Sequence, residues 1–577
     1  MLVSSHQSQP CPRSGESYHK ARPSVLAQLL MLAAVNSVSA SPLYRIESDS
    51  DTLKASCMDA HSGLDVLHVG GASESHGGFI AQFNTSRYLS QTRISDSNWF
   101  IYTPEPVTDI ASHSEFLVTS AGNTVSAFDL SGHSAWQLSA SDNDTMTRQF
   151  GAVVALESGN TAVLGYQLSS WQSERSAVAS IVAPDGSVIC NTEAHNSTDT
   201  FAYQAYDEYF SDAVEITLNE QPKLFIVGDF INSNENGFES ASGGIDHFFQ
   251  NSILSLVVIM NTDTCFIEGS ASFDSGTDNY KTIATNVTAT NTEPTDIVIS
   301  GYTQHFYTDF EQAPFMLRLN LNDAENIVSG QRPTDYCAVE LASDSQSNPV
   351  GALSVYNHKF YGPVAVLGGK KTLSSAVFYT VSVGDCESLF SWQLNVPDNA
   401  QVYSLATLNN SVVWAGANDE FSLLGSLAAD AVQTSPYPES LCNPQFNGHQ
   451  LFGLTPTALD LSWHVNPIVN HKADYSLDRA DLQFNAGPGV ALSKECVVSM
   501  EPGAYEYADY YTPISTEQSN SIDDEFLHSA LFVSVVAGAS ILLTASLTCI
   551  AIVVRARLRL RVDNQHNQRL PTMHRIV

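Results

Sequence analysis

Leu224-Phe225-Ile226-Val227-Gly228-Asp229-Phe230 is a short apolar strand that stops on a glycine. The same pattern recurs along the chain. Leu64-Asp65-Val66-Leu67-His68-Val69-Gly70, Phe116-Leu117-Val118-Thr119-Ser120 and Thr161-Ala162-Val163-Leu164-Gly165 precede it. Asp296-Ile297-Val298-Ile299-Ser300-Gly301, Val364-Ala365-Val366-Leu367-Gly368 and Ser411-Val412-Val413-Trp414-Ala415-Gly416 follow, making seven copies. After each comes a variable polar loop, an alternating strand, a turn rich in Asp, Asn and Gly, and another strand.

The second strand and its turn repeat as well. Examples are Ala177-Val178-Ala179-Ser180-Ile181-Val182-Ala183-Pro184-Asp185-Gly186, Leu254 to Asp263 and Phe315 to Asp323. Helical periodicity is almost absent. Units of about 45 to 75 residues with roughly four strands suit propeller blades. A lone blade cannot bury both of its faces, whereas a closed ring buries them all. The expected fold is therefore all-β, a propeller of about seven blades. The first two copies and the last diverge most, which leaves six or eight open.

At this point the chain resembles the β-propeller repeat family often labelled SBBP. The residues that carry the likeness are Ile299-Ser300-Gly301-Tyr302-Thr303 with Thr308-Asp309-Phe310, and Val227-Gly228-Asp229-Phe230 with Gly243-Gly244-Ile245-Asp246. It spans roughly residues 60 to 430. The resemblance implies a repeated scaffold and no particular activity.

The two ends of the chain have a different character. Lys20 and Arg22 precede the apolar run Val25 to Ala34, and Val38-Ser39-Ala40 offers small residues for cleavage, the order of a secretory signal. Leu527 to Val554 is a 28-residue run in which only His528 is ionisable. About 20 residues cross a bilayer core, so this is an expected single transmembrane α-helix. Asp523, Asp524 and Glu525 stand before it, and Arg555, Arg557, Arg559 and Arg561 after it, which places the C-terminus in the cytoplasm. The expected organisation is signal peptide 1–40, propeller ectodomain 41–436, membrane-proximal β segment 437–500, acidic stalk 501–526, transmembrane helix 527–554 and basic tail 555–577. The β segment either completes a blade or forms a small module. The expected location is a plasma or endomembrane, with the N-terminus extracellular or lumenal.

Between the basic ends lie 16 bases and 59 acids, a net charge of about −43. Such a surface repels phosphate backbones and argues against nucleic-acid partners.

Seven cysteines fall in the ectodomain: Cys57, Cys190, Cys265, Cys337, Cys386, Cys442 and Cys496. The odd number leaves one thiol over, and Cys442 with Cys496, both beyond the repeats, is the expected pair. Sequons at Asn84, Asn143, Asn196, Asn286 and Asn409 are expected glycosylation sites in a eukaryotic host.

Catalytic signatures are sparse. Gly132-His133-Ser134-Ala135-Trp136 begins like a hydrolase elbow but lacks the closing glycine and the strand–helix setting. Asn232, Asn234 and Asn236, followed by Gly237, mimic a calcium loop with neutral amides only, so a polar turn is the better reading. No catalytic residue, cofactor or metal is expected. The expected function is a non-enzymatic surface protein that binds protein or glycan through one propeller face. Two alternatives stay open: a membrane-tethered glycan hydrolase or lyase with acids in the propeller funnel, and a secretory-pathway sorting factor.

Overall fold

In a computed structural model, residues 43–496 are described apart from 49–50, 62, 89–90, 141–145, 170–174, 197–207, 233–251, 276–279, 306–311, 343–350, 359–360, 372–374, 396–399, 409–410, 428–448, 452–454, 466–467, 473–475 and 488. The signal, stalk, membrane run and tail expected from the sequence lie outside these residues. Among the described residues no helix is long and apolar enough to cross a membrane.

Seven sheets of five strands each form the blades. Strand β1 (Leu43–Glu47) comes first in the chain but belongs to the last blade. Blade 1 is β2 (Leu53–His61), β3 (Val66–Ser73), β4 (Gly77–Tyr88) and β5 (Gln91–Thr103). Blade 2 is β6 (Asp109–Ser112), β7 (Phe116–Ala121), β8 (Thr124–Asp129) and β9 (Ser134–Ala140). Blade 3 is β10 (Met146–Ala155), β11 (Thr161–Ser169), β12 (Arg175–Val182) and β13 (Val188–Asn196). Blade 4 is β14 (Glu208–Leu218), β15 (Gln221–Asn232), β16 (Ser252–Asn261) and β17 (Ile267–Asp274). Blade 5 is β18 (Tyr280–Ala289), β19 (Asp296–His305), β20 (Gln312–Asn320) and β21 (Cys337–Ala342), with helix α1 (Leu321–Val328) after β20. Blade 6 is β22 (Ala352–His358), β23 (Gly362–Lys371), β24 (Ser375–Ser382) and β25 (Ser388–Asn395). Blade 7 is β26 (Gln401–Leu408), β27 (Ser411–Ala417) and β28 (Ser422–Leu427), completed by β1, which closes the ring.

The fifth strand of every blade comes from one C-terminal stretch. Here lie β29 (His449–Leu451), β30 (Thr455–Ala458), β31 (Ser462–His464), β32 (Ile468–Lys472), β33 (Leu477–Arg479), β34 (Asn485–Ala486) and β35 (Ala491–Cys496). They pair in turn with β25, β21, β17, β13, β9, β5 and β1, all antiparallel. The chain thus visits blades 6, 5, 4, 3, 2, 1 and 7, running once round the rim against the order in which the blades were built. Residues 449–496, expected to complete a blade or form a module, form a belt with one strand on each blade.

The apolar runs quoted above are the second strands, and their double burial explains their composition. Seven hydrophobic cores lie one between each pair of neighbouring blades. Side chains alternate along a strand, so β15 sends Phe225 and Val227 toward blade 5 while Leu224 and Ile226 face blade 3. β27 does likewise, with Val412 and Trp414 against blade 6 and Val413 and Ala415 against blade 1. Each fully buried aliphatic or aromatic side chain contributes about 2 kcal/mol. Both faces are packed between blades, which is why these runs are apolar without alternation, broken only by a few buried polar residues such as His68, Thr119 and Ser300.

In five blades a glycine toward the end of the second strand has a separate cause. In β2, β10, β14, β18 and β26 the register slips by one residue, a β-bulge. The bulge drives a carbonyl of the inner strand against the second strand. A Cβ on Gly228 would strike the Tyr209 carbonyl, and Gly71, Gly165, Gly301 and Gly416 face the same obstacle from Lys54, Gln149, Ile283 and Gln401. Gly228→Ala should lower stability by about 2 kcal/mol through this overlap with backbone. A urea titration that showed Gly228→Ala matching wild type would contradict the account.

Candidate functional site

Inner strands all begin at one end of the ring and second strands all end there. At that end, three successive blades place equivalent residues side by side. Tyr166, Asp229 and Tyr302 each directly follow the close-approach glycine of β11, β15 and β19. Their cross-strand partners on the inner strands are Gln149, Tyr209 and Ile283.

The cluster is tightly arranged. The Tyr166 hydroxyl donates to Gln149 Oε1 at 2.5 Å. Tyr166 and Tyr209 meet edge to face with ring centroids 5.5 Å apart. The guanidinium of Arg175, at the start of β12, lies 4.9 Å from the Tyr166 ring centroid, a cation–π contact. Gly151, the extra residue of the β10 bulge, lacks a side chain where the Tyr209 hydroxyl comes to rest. Burial, reinforced by the Asp229 charge, pushes the Tyr209 phenol up to about 12 and raises Tyr302 in the same sense. Both therefore remain neutral hydroxyls at physiological pH.

Three acids of the inner strands, Asp59, Asp109 and Asp212, are already engaged. Asp59 accepts from Ala60 N at 2.8 Å and, in the next blade, from Ser112 N at 2.6 Å. Asp109 accepts from Val153 N of blade 3 at 2.8 Å. Asp212 accepts from Ala213 N and from Val287 N of blade 5, both at 2.8 Å. Each carboxylate is thus a bridge from one inner strand to the next. Burial raises all three, Asp109 well above the usual carboxylate range and Asp212 to about 7. A glycosidase needs two carboxyl groups open to a sugar and a water. These oxygens face backbone N–H groups instead.

Two buried histidines are structural in the same way. His68 is fully buried between Ser112 Oγ at 2.8 Å and Gln82 Nε2 at 3.0 Å. His113 meets Thr161 Oγ1 at 2.8 Å. Burial lowers both to about 4, so both stay neutral. Ser134 opens β9 on the surface, and its hydroxyl accepts from Gln137 Nε2 at 3.0 Å, an arrangement without an elbow.

Of the residues singled out in the sequence, Asn84 lies exposed on β4 and exchanges 2.7 Å hydrogen bonds with Asn98. Asn286 lies on the inner strand β18 with its side-chain oxygen buried. Asn196 and Asn232 end β13 and β15. Asn143, Asn409, Asn234, Asn236 and Cys442 lie outside the described residues. Cys496 ends β35 opposite Leu43.

Disulfides join Cys190 to Cys265 and Cys337 to Cys386. The first ties β13 of blade 3 to the turn before β17 of blade 4. The second ties β21 of blade 5 to the turn before β25 of blade 6. Cys57 is a buried free thiol whose titration burial pushes well up. No spacing rule marked these two pairs, because their sequence separations are 75 and 49 residues and only the ring brings them together.

The Tyr166–Asp229–Tyr302 row was visible in part, as the Gly-Asp-Phe and Gly-Tyr-Thr steps of the repeat. Its partners Gln149, Tyr209 and Arg175 carried no such signal.

No family profile matches the chain, and no curated protein does. Several solved structures align with part of the chain. The Pan2 WD40 domain of Neurospora crassa aligns with a TM-score of 0.38 at 10% identity, over 65% of this chain and 89% of that one. Sqt1 of Saccharomyces cerevisiae gives 0.33 at 13%, over 67% and 99%. The GH93 α-L-arabinofuranosidase of Fusarium graminearum, in complex with arabinobiose, gives 0.37 at 11%, over 56% and 93%.

Proposed function

We propose that the chain is a single-pass type I membrane protein whose SBBP-like propeller is a non-enzymatic ectodomain, binding a protein or glycan ligand at the end of the ring where the inner strands begin. The observation that carries this is the row of Tyr166, Asp229 and Tyr302 with Tyr209, Gln149 and Arg175 beside it. It combines aromatic faces, donors and acceptors at one mouth, while the inner-strand acids serve as bridges between blades. Two disulfides fit an oxidising lumen. Once they are taken out, Cys442 and Cys496 are left beside the buried Cys57, and we pair them. The direction of the blades fits as well. β1 starts and β35 ends together, at the end of blade 7 opposite the tyrosines, so the chain leaves away from the binding row.

The test is topology in cells. With a C-terminal tag, protease added to intact cells should remove the propeller and spare the tag, and endoglycosidase should strip its glycans and lower its apparent mass. Recovery from cytosol without detergent and without sugars would sink the reading.

A further inference from the structure

The row of tyrosines also narrows the chemistry of what binds there; this step rests on the binding reading just given. Tyr166, Tyr209 and Tyr302 come from three consecutive blades, so their rings lie along an arc rather than in a single pocket. An arc suits a ligand with several similar units. One guanidinium, Arg175, and one carboxylate, Asp229, offset each other in charge, and Gln149 adds a neutral amide. Carboxylate, guanidinium and amide are planar groups that each make paired hydrogen bonds, the geometry that neighbouring ring hydroxyls present. Aromatic rings stack on the apolar C–H faces of pyranose rings through dispersion and burial.

Two competing ligand classes fit less well. Polyanions such as sulfated glycans face an ectodomain of about −43 net charge. Extended peptides commonly bind by adding a strand to an open sheet edge. Here the outer strand of each of the seven blades already carries a belt strand, and the edge this leaves is only two to six residues long.

We infer that the Tyr166–Tyr209–Tyr302 arc is a seat for a neutral oligosaccharide, which it binds and does not cleave. The faces of Tyr166 and Tyr302 supply stacking, and the largely buried Tyr209 props Tyr166 edge to face. Asp229 accepts from sugar hydroxyls, and Arg175 and Gln149 donate to sugar oxygens.

The experiment uses the full chain in detergent micelles on an array that carries neutral, sialylated and sulfated oligosaccharides. Neutral structures should be retained, and binding should hold when salt rises from 50 to 500 mM, since little of it is ionic. Tyr302→Ala should weaken binding by about tenfold or more. Tyr209 is largely buried, so Tyr209→Phe, which keeps the ring and removes only the hydroxyl, serves as a second variant with an unchanged melting temperature and weaker binding. Retention of charged glycans alone, salt-sensitive retention, or neutral binding untouched by either variant would each overturn the inference. A blank array from protein correctly placed at the cell surface would also overturn it, and would leave the binding reading with a protein ligand. Cytosolic recovery would remove the reading itself.

Discussion

An ectodomain ending at residue 436 should melt about 10 °C or more below one ending at residue 496, and should self-associate. The belt covers an edge on all seven blades, and each uncovered edge is a row of open backbone donors and acceptors. The belt also carries its own apolar pegs. Trp463 is 3% exposed, with its ring 4.9 Å from Phe273 and 5.7 Å from Tyr336. Tyr336 in turn donates its hydroxyl to the Leu461 carbonyl at 3.2 Å. Leu461, Leu477 and Val490 are buried on blades 4, 2 and 1. Trp463→Ala alone should cost about 3 kcal/mol, because it empties a site between two blades. Calorimetry and light scattering on the two ectodomains decide the matter. If the shorter chain stayed monomeric and melted within a degree or two of the longer, the belt would be ornament rather than structure.

The same belt shows where sequence reading stops. Strands such as Leu224–Gly228 are legible because burial on two faces dictates four apolar residues in a row, and a bulge on the neighbouring strand dictates the glycine. The inner strands are harder. Glu208-Tyr209-Phe210-Ser211-Asp212-Ala213 mixes polar and apolar residues, because only part of it packs and Asp212 reaches across to the next blade. Belt strands are harder still. They run two to six residues and begin six to nine residues apart, so their spacing bears no relation to the blade repeat. Thr455-Pro456-Thr457-Ala458 even contains a proline, which an outer strand tolerates. Nothing local tells a strand of that length which blade it will join. The binding row lies between these extremes, since Tyr302 and Asp229 follow a readable glycine while Arg175 reaches them only through packing.

Stability should fall as pH rises from about 6.5 to 8.5, and Asp212 should account for much of the fall. In the fold its carboxyl titrates at about 7, against roughly 4 in an unfolded chain. Between those values the folded state holds a proton that the unfolded state has lost. The stabilisation is therefore complete below about 4 and is given up as pH climbs to and through 7, a difference of at most about 4 kcal/mol in all, of which roughly 1 kcal/mol falls above pH 6.5. Asp109 and Asp59 are raised by the same burial and act in the same direction. His68 and His113 oppose them. Burial holds both imidazoles neutral down to about 4, so acidification below 6.5 favours the unfolded chain. The two effects largely cancel between pH 4 and 6.5, leaving the alkaline limb exposed. Asp212→Asn keeps one acceptor oxygen, loses the second N–H partner and no longer titrates. It should be less stable than wild type at pH 6 yet show a flatter decline toward pH 8.5. Growing self-repulsion of an acidic surface would steepen both chains alike, so the comparison of slopes in urea titrations isolates the buried group. Parallel slopes for the two chains would mean that Asp212 is ionised throughout, held there by its two backbone donors, and that the inter-blade bridges are as firm in alkali as in acid.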